Sequence, residues 1–170
     1  ETMPPGARIG TGSLRRGVQL ANRFDLLEVV PIRGNLDTRI RKVKEKVLDG
    51  VIVAAAGMKR MGWEEQISQY LPAETLLPAA CQGILGLETR RDDPFIADLR
   101  FLHDEKTWQE MAGERAFLKR LGGGCQLPVA AYGQVTDGSI HLAALVGSLD
   151  GKAIMRQDIS GPAAEAHALG

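Results

Sequence analysis

Residues 7–24, "ARIGTGSLRRGVQLANRF", decide the fold class. The first five residues read as a short strand. Gly12 and Ser13 then break the pattern, and the following run places Leu14, Val18 and Ala21 on one face of a helix. Ser13, directly ahead of that run, offers a hydroxyl donor beside the free N–H groups of the helix start. A strand feeding straight into a helix is half of a βαβ unit. "LEVVPI" (27–32) supplies the second strand, and "NLDTRIRKVKEKVLDG" (35–50) supplies a second helix, with Leu36, Ile40, Val43 and Val47 recurring and Gly50 as a stop. "VIVAAA" (51–56) is a third, wholly apolar strand. This alternation predicts an α/β layer with a mainly parallel sheet.

Further along, "MKRMG" (58–62) is a basic turn, followed by a helix around Glu64 to Tyr70 and the connector "LPAETLLPAACQG" (71–83). "ILGLETR" (84–90) reads as another strand, with Cys81 packed at its start. "DDPFIADLRFLH" (92–103) opens with helix-start residues, and "DEKTWQEMAGERAFLKRL" (104–121) is a long helix with Trp108, Met111, Ala112 and Phe117 to bury. The glycines at 122–124 end it. Beyond them "VAAYGQV", "SIHLAALVG" and "KAIMRQDI" form three strands joined by the hairpin-type turns "TDG" and "SLDG". That is a small antiparallel sheet, hence a second module, closed by a short helix in "SGPAAEAHALG" (160–170).

The 44% hydrophobic and 25% charged fractions place the chain among ordinary soluble globular proteins. No apolar run approaches the roughly 20 residues of a membrane span. The N-terminus lacks a secretory pattern, and the missing initiator Met suggests a piece of a longer chain. With only two cysteines, Cys81 and Cys125, a cytoplasmic protein with reduced thiols is expected. His103, His141 and His167 show no metal-ligand spacing, so no metal is expected. The net charge of zero hides an asymmetry: residues 1–62 carry 12 Lys and Arg against 6 Asp and Glu.

Those cations are placed. Ser13, Arg15 and Arg16 follow the first strand. Arg33, Gly34, Asn35 and Arg39 follow the second, and Gly57, Lys59 and Arg60 follow the third. In an open α/β sheet, ligands bind at the carboxyl ends of the strands. A helix N-terminus already carries partial positive charge, so arginines there lose stability that a bound anion would restore. The alternative is a set of solvated arginines paired with surface acids. No Walker A loop and no G-x-G-x-x-G spacing occur, which weakens the case for nucleotides. Aromatic content of 5% weakens the case for nucleic acid. Small polycarboxylates fit the arginine-rich set.

"LGGGCQLPVA" (121–130) runs three glycines into Cys125. A lone cysteine is commonly a small buried hydrophobe. An open glycine loop instead leaves backbone and sulfur accessible, which suits a thiolate nucleophile or an attachment point.

Together "IGTGSLRR", "IRGNLDTRIRK", "AAAGMKRMG", "QGILGLETR" and "ERAFLKRLGGGCQLPVAAY" resemble the middle and C-terminal parts of the porphobilinogen deaminase (hydroxymethylbilane synthase) family, over nearly the whole chain. The resemblance implies a transferase of tetrapyrrole biosynthesis. Its members condense four porphobilinogen molecules onto a covalent dipyrromethane primer, release ammonia at each addition, and hydrolyse the product to hydroxymethylbilane. It implies that Cys125 holds dipyrromethane through a thioether. Ser13, Arg15, Arg16, Arg33, Arg39 and Arg60 would bind cofactor or substrate carboxylates, and Thr11, Gly12, Gln82 and Gly83 would line the cofactor cleft.

By the same resemblance, residues 1–83 are a lobe of periplasmic-binding-protein type, the family's second domain. Residues 84–101 return to the first domain, 102–120 are a connecting helix, and 121–170 form a small α+β domain with a three-stranded antiparallel sheet. The first domain and its catalytic aspartate are absent, so the chain alone is expected to be inactive. Expected partners are porphobilinogen and that missing domain, in a monomeric parent, with neither nucleic acid nor membrane. Position 12 is Gly where the family usually has Ser, and Cys81 stands where Gly usually precedes Gln. The rival is a non-catalytic anion-binding lobe of solute-binding type in which Cys125 is merely structural.

Overall fold

The computed structural model of the chain describes residues 3–122 and 127–170. Two compact units divide it: Glu1–Leu77 with Gly124–Ala130 and Leu145–Arg156, and Pro78–Gly123 with Ala131–Ala144 and Gln157–Gly170.

The first unit begins with the expected alternation. Strand β1 (Arg8–Thr11) leads into helix α1 (Leu14–Arg23), β2 (Glu28–Pro31) into α2 (Leu36–Lys44), and β3 (Gly50–Val51) into α3 (Ala55–Arg60). The three strands lie in the order β2-β1-β3, all parallel, with Ile9 opposite both Val29 and Gly50. Crossover helices make such a sheet possible, since parallel neighbours cannot be joined by a tight turn. Ala7, Ile9, Ile32, Leu48 and Met58 are buried in this unit, with Val18 and Leu20 from α1. The helices start where their caps put them. The Ser13 hydroxyl accepts from the Arg16 N–H at 3.4 Å, and Asn35 Oδ1 accepts from the Thr38 N–H at 2.9 Å.

In the second unit, α4 (Ile96–Leu99) is a single turn and α5 (Glu105–Arg120) runs sixteen residues, N-capped by Asp104. Strands β4 (Val129–Thr136), β5 (Ser139–Gly147) and β6 (Ile154–Pro162), of which the parts within Ala131–Ala144 and Gln157–Gly170 belong to this unit, are ordered β4-β5-β6, and α6 (Ala166–Leu169) closes the chain. Val135, Ile140, Ala163 and Ala166 form a core cluster with Leu169 against it.

Several sequence expectations need correction. Residues 84–90 contain no strand, and Leu85 is 90% exposed: Gly86 interrupts the alternation and, among the described residues, no strand pairs with this stretch. Cys81 accordingly lies in a turn rather than at a strand start. The third strand is only Gly50–Val51, because helix α3 already begins at Ala55, within "VIVAAA". Between Glu64 and Tyr70 only a 3-10 turn, Glu64–Gln66, forms. Trp108 is 53% exposed, its ring 5.8 Å from that of His103, whereas Met111, Ala112 and Phe117 are half-buried. Among the described residues, no helix is long and apolar enough to cross a membrane.

Candidate functional site

The first junction is built on Thr11, whose buried hydroxyl accepts from the Ser13 N–H at 3.2 Å and so shapes the turn through Gly12. Ser13 then caps α1, which carries no acidic residue in its first turn. Arg15 points inward and is only 8% exposed. Its guanidinium donates to the carbonyl of Leu77, and its pKa is pushed down to about 10, first by burial and then by the charge of Arg16. Gln19, one turn further along, grips Leu77 from both sides. Its Nε2 donates to the Leu77 carbonyl at 3.0 Å, and its Oε1 accepts from the Leu77 N–H at 2.7 Å.

Arg16 is half-buried and donates through Nη1 to the carbonyl of Ile52, just past β3, at 3.2 Å. Burial, then the charge of Arg39, lowers its proton affinity. Arg39 comes from the second junction, where its Nε donates to the Gly34 carbonyl at 2.9 Å. The first two junctions therefore set Arg16 within electrostatic range of both Arg15 and Arg39. Among the described residues no carboxylate lies within ion-pair distance of Arg16 or Arg39. Arg16 and Arg39, like charges with carbonyl partners and no described carboxylate, form a site that can take an anion.

The remaining cations behave differently. Arg33 is exposed and makes no hydrogen bond or ion pair to a described residue. Lys59 and Arg60 lie in the last turn of α3, not at its start as the sequence suggested, because that helix is only six residues long. Lys59 is engaged: its Nζ is 3.0 Å from Glu64 Oε1, which also accepts from the Tyr70 hydroxyl at 2.8 Å. Arg60 is exposed, with no described partner.

Gln82 and Gly83 belong to the second unit. Gln82 Oε1 accepts from the Ala79 N–H at 3.3 Å, in a tight turn where Cys81 holds φ 60° and Gly83 φ 96°. The turn is pinned by Glu114, a residue the sequence analysis did not single out. Its carboxylate accepts from the Cys81 N–H and, at 2.7 Å, from the Gly133 N–H. Burial raises the Glu114 pKa, opposed by those two amides, while Glu110 raises it further. Burial, then Glu114, likewise raises the Cys81 thiol, which keeps it protonated and unreactive at neutral pH. An acid three residues after Met111 and four before Leu118, on the buried stripe of α5, was the available signal. Cys125, the expected attachment point, lies outside the described residues.

An α/β layer with arginines converging at its first two strand–helix junctions defines a class suited to anionic ligands. Comparison with known proteins narrows the class. Residues 1–98 match the model of "Porphobilinogen deaminase, dipyromethane cofactor binding domain", and residues 108–170 that of "Porphobilinogen deaminase, C-terminal domain". A porphobilinogen deaminase of Syntrophus aciditrophicus is 54% identical over 171 residues, covering 100% of this chain and 56% of its own length. Those of Geobacter metallireducens and Pelobacter propionicus are 47% and 45% identical, each over 99% of this chain and 53% and 54% of their own lengths. The chain belongs to the porphobilinogen deaminase family. It spans about half the length of the curated relatives it matches.

Proposed function

We propose that this chain is the dipyrromethane-holding part of a porphobilinogen deaminase, a transferase that joins porphobilinogen units into a linear tetrapyrrole and releases ammonia at each addition. The observation that carries the reading is the Arg15–Arg16–Arg39 cluster, in which Arg16 and Arg39 have carbonyl partners and no carboxylate, inside the stretch that matches the cofactor-binding domain. The donor set fits the group. Dipyrromethane carries acetate and propionate side chains, and forked guanidinium donors are matched to carboxylates.

When bound, dipyrromethane supplies the free pyrrole α-carbon at which porphobilinogen is added. The chain's own residues then have separable tasks. Cys125 tethers the group through a thioether. Arg16 and Arg39, with Ser13 at the helix start, hold carboxylates. Arg15, shared with the Leu77 carbonyl, supports them electrostatically. Arg33 and Arg60, exposed and without described partners, serve the carboxylates of incoming units, while Thr11, Gly12, Gln82 and Gly83 shape the walls.

In the whole protein, residues 1–83 act as a lobe of periplasmic-binding-protein type, and 84–101 return to a first domain. The helix over 102–120 connects to a small domain, 121–170, that carries Cys125. The exposed Leu85, Phe95 and Phe101 favour such a role for the returning segment. The setting is cytoplasmic, where thiols stay reduced.

The test is the intact mass of the complete parent protein before and after porphobilinogen is added. The expected result is a resting adduct that maps to Cys125, followed by a ladder of equal increments. A chain that stays unmodified in both conditions overturns the reading.

A further inference from the structure

Strand β5 ends at Gly147, against helix α1 within the first unit. A Cβ built on Gly147 would stand 2.4 Å from Cγ1 of Val18, closer than non-bonded carbons approach, and 3.6 Å from Cγ of Pro128. Val18 is 4% exposed and β-branched, so in a helix its χ1 is confined to one rotamer and its Cγ1 cannot swing aside. The main-chain N–H of Gly147 donates to the Pro128 carbonyl at 2.9 Å, and the Pro128 ring is fully buried. The turn that follows lies along the same face of α1. A Cβ on Gly151 would stand 3.4 Å from Cβ of Ala21, about one helical turn beyond Val18. Pro128 comes three positions after Cys125, and Val18 comes three after Arg15 and two after Arg16.

We infer that Gly147 and Val18 are a matched pair of positioning residues: the bare main chain at Gly147 lets the end of β5 close on α1 and, through Pro128, fixes where the chain leaves the Cys125 segment relative to Arg15 and Arg16. The inference rests on the dipyrromethane-holding reading above and adds the part of the fold that sets the span between tether and cations. A small molecule gripped at two points needs that span held. Shifting the tether against α1 moves the reacting carbon away from the incoming unit, and a misplacement of ~1 Å can cost on the order of 100-fold in rate. Neither Gly147 nor Val18 offers a side-chain donor, acceptor or charge, so their effect passes through geometry alone.

The experiment compares the complete parent protein with its Gly147→Ala, Val18→Ala and double variants. Chemical denaturation gives the folded fraction of each. Intact mass gives the share carrying a resting adduct at Cys125, and the rate of the first addition after rapid mixing with a single equivalent of porphobilinogen. Gly147→Ala is expected to lose the adduct from part or all of its folded population, and to slow the first addition at least about tenfold in molecules that keep it. Val18→Ala, which empties the facing space, should slow it by about threefold. In the double variant the added methyl meets that space, so the rate should recover at least about threefold over Gly147→Ala. The inference is overturned if Val18→Ala brings no recovery. It is equally overturned if folded Gly147→Ala keeps its adduct and adds at the natural rate, which would make the contact a matter of packing alone. Should Gly147→Ala not fold, Val18→Ala decides: a natural adduct share and a natural rate overturn the inference. An unaltered parent without an adduct takes down the dipyrromethane reading and this inference with it, whereas a loaded parent matched by every variant takes down this inference alone.

Discussion

The main-chain N–H of Cys81 donates to the carboxylate of Glu114, 33 residues further along the chain. That bond holds Cys81 at φ 60°, a conformation that disfavours any residue with a Cβ. Glycine adopts it freely. Cys81→Gly is therefore expected to stabilise the chain by up to about 1 kcal/mol, after allowing for the greater freedom of glycine in the unfolded state. Urea unfolding measures this, and a lower midpoint for the variant would refute it.

Glu114 serves two amides, so truncating it strands both. Glu114→Ala is expected to cost about 2–5 kcal/mol, since each unsatisfied buried donor costs roughly 1–3 kcal/mol. Glu114→Gln keeps one acceptor and turns an amide group towards the other N–H, and should fall between the two. Equal stability of all three proteins in chemical denaturation would show that the turn does not depend on this side chain.

The same residue makes a pH prediction whose sign can be fixed. Burial raises the Glu114 pKa above the unfolded value of about 4.5, so the folded chain binds the proton more tightly than the unfolded one. The contribution of this group is therefore most favourable below about pH 4.5 and declines as pH rises through the folded pKa. Glu114→Gln does not titrate at this position. The stability of the natural chain minus that of Glu114→Gln should be larger at pH 4.5 than at pH 7, and a gap that narrows on acidification would contradict it.

Arg16 illustrates a conflict between stability and binding. Its charge is disfavoured by burial and by Arg39 when no anion is present. Arg16→Met should accordingly raise the melting temperature of the ligand-free chain while weakening porphobilinogen binding by about tenfold or more. A variant that melts lower and binds as before would mean that Arg16 is a structural residue.

Residues 1–170 span about half the length of the curated relatives, and deaminase turnover by this stretch alone is expected to be undetectable. Ammonia release from porphobilinogen is the assay, and detectable turnover by this stretch alone would sink the claim.

How much of this was legible in the sequence depends on whether local chemistry or distant partners decide each element. The recurrence of Leu14, Val18 and Ala21 and of Leu36, Ile40, Val43 and Val47 marks α1 and α2, and their alternation with short apolar runs points to a parallel sheet. The turn at Asp137–Gly138 likewise announces the β4–β5 hairpin. Residues 84–90 misled because Ile84, Leu85 and Leu87 carry strand-like side chains, yet a strand needs a neighbour and none is supplied there. Gln19 and Glu114 were missed for the opposite reason. Each is a polar residue on a buried helix face, and its worth depends on main-chain groups 58 and 33 positions away. At the candidate site, the arginines were legible as a set. The sequence could not separate Arg15, Arg16 and Arg39 from Arg33 and Arg60: the place of Arg60 depends on where α3 begins and ends, and that of Arg33 on the loop between β2 and α2.

The stretch from Ile84 to Leu102 has a consequence for handling the molecule. Apart from α4 and the 3-10 turn that follows it, it is held by isolated turns, and Leu85 and Phe101 are 90% and 81% exposed. It also contains Arg90, Arg91 and Arg100. Segments of this kind open at little free-energy cost, so their amides exchange early with deuterated solvent and their peptide bonds reach a protease first. Limited trypsin digestion should nick the chain here before it touches the parallel sheet, yielding two pieces that part near the middle.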